Sequence, residues 1–173
     1  MKSSRFFLKR AALLLGATMA LVSASFTLAS CMTEDTETIL PEGIEQLEDT
    51  DPLVGTWNGQ YEGESYTITA TTFTSAGSYE GDNLLVGKLN TSSGYIYIKY
   101  TRAMNPDWSY SEDAPDVGKW YAVMYKDLTE RSISISGAWK KDGISAAETL
   151  EEAIAEFTVE NGYFDSFSEC TKN

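Results

Sequence analysis

The chain has 173 residues, with 26 acidic against 13 basic side chains, two cysteines and no histidine. Residues 1–30 hold four of the bases (Lys2, Arg5, Lys9, Arg10) and no acid, so residues 31–173 carry 26 acidic against 9 basic groups, or −17. That charge argues against nucleic acid as a partner, which needs a basic footprint, and against docking on anionic lipid head groups; the missing imidazole excludes histidine metal sites and histidine catalysis.

Residues 1–10 are short and basic, and residues 11–22 are apolar but interrupted by Gly16 and Thr18. The stretch is too short for a spanning helix, which needs roughly 20 apolar residues, and reads as the two parts of a secretory signal, residues 1–30. It ends in Leu28-Ala29-Ser30-Cys31, which resembles the bacterial lipobox. The resemblance implies cleavage before Cys31, a diacylglycerol thioether on its sulfur and acylation of the new amino group. The implied partner is a membrane, held through lipid on Cys31, and the implied residence is the bacterial cell envelope, at the periplasmic or surface face of the outer membrane. Two or three acyl chains anchor durably where one holds weakly. With Cys31 so used, Cys170 has no partner within the chain and reads as a small buried residue in or beside the last strand.

Residues 32–51 contain eight acidic groups and no base, with Ile39, Leu40, Ile44 and Leu47 scattered among them. Like-charge repulsion and low hydrophobicity predict a disordered tether over 31–51. A folded domain is predicted over 52–173, since all four tryptophans and all ten tyrosines lie between Trp57 and Tyr163. Runs rich in Tyr, Ile, Val and Thr predict strands at 54–61, 65–74, 84–90, 95–102, 119–126 and 131–139, with 78–81 beginning or preceding the third. Short connections make the meander antiparallel. Ser132-Ile133-Ser134-Ile135-Ser136 alternates, so one face is buried and one wet. In the fourth strand, Lys99 marks the outside and Ile96, Ile98 and Tyr100 the inside.

One helix comes next. Thr149 and Glu152 have the spacing of a capping box, and Leu150, Ala153, Ile154 and Phe157 form one apolar stripe. Asn161-Gly162 is the expected stop, and residues 163–170 the last strand. The chain is therefore expected to be mainly β: an antiparallel up-and-down barrel of about 7–8 strands with one C-terminal helix before the last strand.

Gly55-Thr56-Trp57 resembles the Gly-x-Trp that opens the first strand of lipocalins. The resemblance implies that Trp57 plugs the closed end of the barrel, with Arg131 or Arg102 lying on it. Trp57, Ile96, Ile98, Tyr100, Val123, Tyr125, Ile133, Ile135 and Trp139 are the candidates for barrel floor and interior. Longer segments are similar to the small lipocalin-like lipoproteins of treponemal spirochaetes. They are Gly118-Lys119-Trp120-Tyr121-Ala122-Val123, Ser132 to Ala138, Thr149-Leu150-Glu151-Glu152-Ala153, Glu160-Asn161-Gly162-Tyr163-Phe164 and Ser168-Glu169-Cys170-Thr171-Lys172. That family is defined by fold and anchoring and supplies no catalytic residues to transfer.

Residues 103–118 form a long loop in which Asp107, Glu112, Asp113 and Asp116 stand beside Trp108 and Tyr110. Its acidic spacing does not match a calcium-binding EF-hand loop, and a solvated acidic loop or a lid is the expectation. Tyr66, Tyr95, Tyr97, Tyr100, Tyr121 and Tyr125 either line a cavity or serve strand packing. No phosphate-binding glycine loop or nucleophilic serine turn is present, so no catalytic, metal or cofactor residues are assigned and no enzyme is expected. Two functions remain: a barrel binding a small apolar or amphipathic ligand, or a surface antigen, adhesin or inhibitor that meets a basic protein partner. The body, 52–173, carries 18 acidic against 9 basic groups.

Overall fold

The computed structural model describes residues 39–173. The signal, Cys31 and the first part of the tether lie outside them. The described residues form β1 (Ile44–Gln46), β2 (Gly55–Asn58), β3 (Ser65–Ile68), β4 (Phe73–Ser75), β5 (Glu80–Asn90) and β6 (Ser93–Met104). Next in the chain come β7 (Tyr110–Ser111), β8 (Trp120–Lys126), β9 (Ser132–Gly137), the helix α1 (Leu150–Glu156) and β10 (Ser168–Lys172). Strands β2, β3, β4, β5, β6, β8, β9 and β10 pair antiparallel in succession, and β10 returns to β2 through Thr171↔Asn58 and Lys172↔Trp57. The sheet is thus a closed eight-stranded up-and-down barrel, and closure removes the edges that would otherwise pair with other chains.

The strand expected over 65–74 is a hairpin, β3 and β4. Thr69 turns the chain: its hydroxyl accepts the Thr71 and Thr72 amides at 3.2 and 2.9 Å. A hydroxyl that bonds its own backbone offers an alternative to the ladder, which is why a Thr-rich run breaks here. Conversely, the segments at 78–81 and 84–90 are one strand, β5, interrupted by a bulge where Asn83 adopts φ +51°.

The tether also ends earlier than its composition implies. Residues 44–46, expected to be disordered, pair with Leu85, Val86 and Gly87 of β5, and Leu47 is buried. Repulsion among the carboxylates is relieved by Lys88, which reaches Glu45 at 2.7 Å and Asp51 at 2.9 Å.

The helix begins as its sequence demands. Thr149 accepts the Glu152 amide at 3.2 Å and the Glu152 carboxylate accepts the Thr149 amide at 3.3 Å. It stops at Phe157 rather than at Asn161-Gly162. The Asn161 side chain instead donates to the carbonyls of Ala155 and Glu156 at 3.1 and 2.8 Å, satisfying the open C-terminal end. α1 packs against β8, where Ala122 is fully buried. The last strand starts at Ser168 because Tyr163 and Phe164 are spent on packing, against Phe157 at 5.1 Å and Tyr95 at 5.5 Å.

Directly paired residues share a face, so the register defines the inside of the barrel. Trp57↔Tyr66, Ile68↔Phe73, Gly81↔Tyr100, Ile98↔Tyr121, Ile96↔Val123, Tyr125↔Ile135 and Cys170↔Ile133 are such pairs. Trp57, Ile68, Phe73, Val86, Ile96, Ile98, Val123, Tyr125, Ile133 and Ile135 are each at most 2% exposed. Burial of each such side chain contributes roughly 1.5–3 kcal/mol.

One end is closed. The Trp57 indole N–H donates to the Leu53 carbonyl at 2.9 Å, and Lys172 Nζ lies 4.8 Å from the Trp57 ring centroid while donating to the Pro52 carbonyl at 2.9 Å. The cation on this tryptophan is therefore a lysine, not Arg102 or Arg131. Arg102 reaches Glu80 at 3.5 Å, towards the other end of the barrel, and Arg131 is exposed. Gly55 fits this arrangement twice. Its φ is +147°, and a Cβ there would stand 2.6 Å from Lys172 Cε.

Candidate functional site

The opposite end is open. There the starts of β5 and β8 and the ends of β6 and β9 bring Tyr79, Tyr100 and Tyr121 to a cavity of about 510 Å³. The segment between β6 and β8 adds Trp108, Tyr110 and Asp116, and the segment after β9 adds Trp139 and Lys140. Two further cavities lie elsewhere. One of about 550 Å³ is bordered by Leu40, Leu47, Leu84, Trp120 and Leu150; the other, of about 480 Å³, runs along β9 and β10. Neither includes the tyrosines of the open end.

The three tyrosines are held as a cluster. Tyr100 and Tyr121 stack with ring centroids 4.7 Å apart and planes at 24°, and Tyr79 meets both edge-on at 6.0 and 5.1 Å. Such geometries suit the quadrupoles of the rings. The Tyr121 hydroxyl donates to the Ala138 carbonyl at 3.0 Å. Gly137 makes room for this: a Cβ there would lie 2.6 Å from the Tyr121 hydroxyl and 3.0 Å from that of Tyr79. Burial pushes the phenols of Tyr79, Tyr100 and Tyr121 well above their ordinary range, so all three are neutral at physiological pH.

The rim is organised by backbone and short polar side chains. β7 pairs with Ala103 and Met104, so the acidic loop folds back on β6. At its tip Asn105 accepts the Trp108 amide at 2.9 Å and donates its own to the Ser109 carbonyl at 2.7 Å. The Asp107 carboxylate accepts the Ser109 amide and hydroxyl at 3.1 and 2.6 Å, which lowers its pKa. Trp108 is thereby fixed at φ +68° with its side chain outward, 74% exposed. Such a conformation is strained for a bulky residue and is seen mostly where it serves a purpose. Asp116 accepts the Ser145 hydroxyl and pairs with Lys119 at 3.3 Å. The four acidic groups of the loop do not converge: among the described residues no group of three acidic or cysteine side chains is placed to hold a metal.

Of the residues marked as floor and interior, Trp57 closes one end, and Ile96, Ile98, Val123, Tyr125, Ile133 and Ile135 fill the body. Tyr100 reaches the open mouth. Trp139 is not interior. It comes just after the end of β9, is 63% exposed, and stands at the rim with its amide donating to the Tyr163 carbonyl at 2.9 Å. Tyr95 and Tyr97 belong to the outward face of β6, and the Tyr66 hydroxyl is tied to Glu64 at 2.8 Å. Tyr79 and Gly137 are not marked by the sequence. Tyr79 comes after a turn closed by the Ser75 amide on the Tyr79 carbonyl, and no local pattern shows it as inward. Cys170 is buried and free, and burial pushes its thiol up to about 11.

No protein-family model and no solved structure matches the chain. A stretch of 54 residues, 31% of the chain, is 37% identical to a dual function macrocyclase-peptidase of Amanita bisporigera. It spans 7% of that protein.

Proposed function

We propose that the protein is a lipid-anchored binding protein of the bacterial cell envelope that holds a small apolar or amphipathic ligand in the open mouth of its barrel. The observation that carries this reading is the cavity of about 510 Å³ above the filled core, walled by Tyr79, Tyr100 and Tyr121 and flanked by Trp108 and Trp139. Its size falls in the roughly 300–1,000 Å³ range of small-molecule sites, which pair apolar and aromatic walls with a few polar groups. The lower barrel is packed with side chains, so the ligand occupies the upper part only.

Two measurements test the two halves of the proposal. Native mass spectrometry of the protein purified from its own host is expected to show a retained small molecule, lost in Trp108→Ala/Trp139→Ala; a bare protein mass would contradict ligand binding. For the anchor, Cys31→Ser is expected to move the protein from the membrane to the soluble fraction, and unchanged fractionation would contradict lipid attachment at this residue.

A second reading, an interaction protein for a basic partner, draws on the 18 acidic against 9 basic groups of residues 52–173. It predicts salt-sensitive capture of a partner that Trp108→Ala leaves intact.

A further inference from the structure

Resting on the mouth as the binding site, we infer that its ligand is an organic cation: an ammonium group with a small apolar envelope, such as a quaternary amine. Three observations converge on this chemistry. Six aromatic residues border the cavity, Tyr79, Tyr100, Trp108, Tyr110, Tyr121 and Trp139. Ring faces attract cations, most strongly Trp and Tyr within about 6 Å, and rings gathered around one space are the usual means of holding a quaternary ammonium.

The fixed charges around the mouth point the same way. Asp116 borders the cavity, and Asp107, Glu112 and Asp113 lie exposed on the same loop with no ion pair among the described residues. Two of the bases nearby are already held in ion pairs. Arg102 pairs with Glu80 at 3.5 Å, and Lys119 holds Asp116 and Glu148 at 3.3 and 3.1 Å. Lys140, the one base bordering the cavity, has no carboxylate partner among the described residues and lies with its Nζ 5.2 Å from the Tyr163 ring centroid. An anionic ligand therefore meets one base against the four acids of the loop, whereas a cation meets an aromatic lining inside a negative field. That field also steers a cation towards the mouth, an effect that salt weakens.

The inference is tested on the full chain with three probes that share one tert-butyl-like head: choline, its uncharged analogue neohexyl alcohol, and the anion tert-butylacetate. Titration of tryptophan fluorescence is expected to show choline binding at least about tenfold more tightly than the alcohol, with no binding of the anion. Trp108→Ala and Trp139→Ala are each expected to weaken choline several-fold. Both residues are exposed, so neither variant disturbs the core, and near-ultraviolet circular dichroism checks this. Asp116→Asn is expected to narrow the gap between choline and the alcohol. If the alcohol binds as tightly as choline, or the anion binds best, the cation assignment falls while the mouth remains a binding site. If no probe binds, both fall.

Discussion

Trp57, Lys172 and Gly55 come from the two ends of the folded body and form one unit. The ring closes the barrel floor, the ammonium lies on its face and on the Pro52 carbonyl, and the glycine leaves space for the lysine stem. Trp57→Ala is expected to cost about 3–5 kcal/mol, measured by chemical denaturation, because a fully buried ring leaves a cavity. Gly55→Ala is expected to cost about 1–3 kcal/mol through a positive φ that alanine resists and through displacement of Lys172. A neutral Gly55→Ala would contradict this account of the motif. The tryptophan is legible in the sequence as part of Gly-x-Trp. Its cation is not, since either arginine satisfies the sequence and only the return of β10 to β2 selects Lys172. Gly137 illustrates the same limit at the site. A glycine after an alternating strand reads as a terminator, and its purpose appears only when two tyrosine hydroxyls converge on it. Gly137→Ala is expected to lower mouth affinity several-fold without changing membrane fractionation.

Among the elements, chemistry is legible wherever it is local. The capping box at Thr149 forms as written, and Thr149→Ala is expected to cost about 1 kcal/mol in the same denaturation assay. Elements that depend on distant partners are not legible. Eight carboxylates without a base read as a disordered tether, yet Lys88 supplies the missing positive charge from β5 and Ile44 and Leu47 the apolar anchors. Lys88→Ala is accordingly expected to release β1 from the sheet. Amide hydrogen exchange at Glu45 and Gln46 reports it: faster exchange there, with β8 unchanged, is the expected result, and protected amides would show that the clasp is dispensable.

For the whole molecule, the alternating pattern and short turns are enough for the closed barrel, but not for which end opens, because pattern alone does not say where the inward face stops being filled. The buried acids of the core also set a pH response. Burial raises the Cys170 thiol from 9.0 to about 11 and the Tyr125 phenol from 10.0 to about 12. The unfolded chain therefore loses these protons at lower pH than the folded one, and stability declines as pH rises through these two intervals. Denaturant midpoints are expected to fall progressively above about pH 9, with Cys170→Ser removing the earliest part of the decline; a midpoint constant to pH 11 would contradict it.

The four tryptophans sit in three different places, which makes ligand binding at the mouth directly measurable. Trp57 is at the closed floor, Trp120 borders the cavity beside Leu47 and Leu150, and Trp108 and Trp139 stand at the mouth. Nuclear magnetic resonance of the four indole N–H signals, recorded with saturating choline and again with neohexyl alcohol, reads all three places at once. Binding at the mouth moves the Trp108 and Trp139 signals with at least one probe while Trp57 and Trp120 stay fixed. Movement at Trp57 or Trp120 with the mouth signals still, or no movement with either probe, would contradict it.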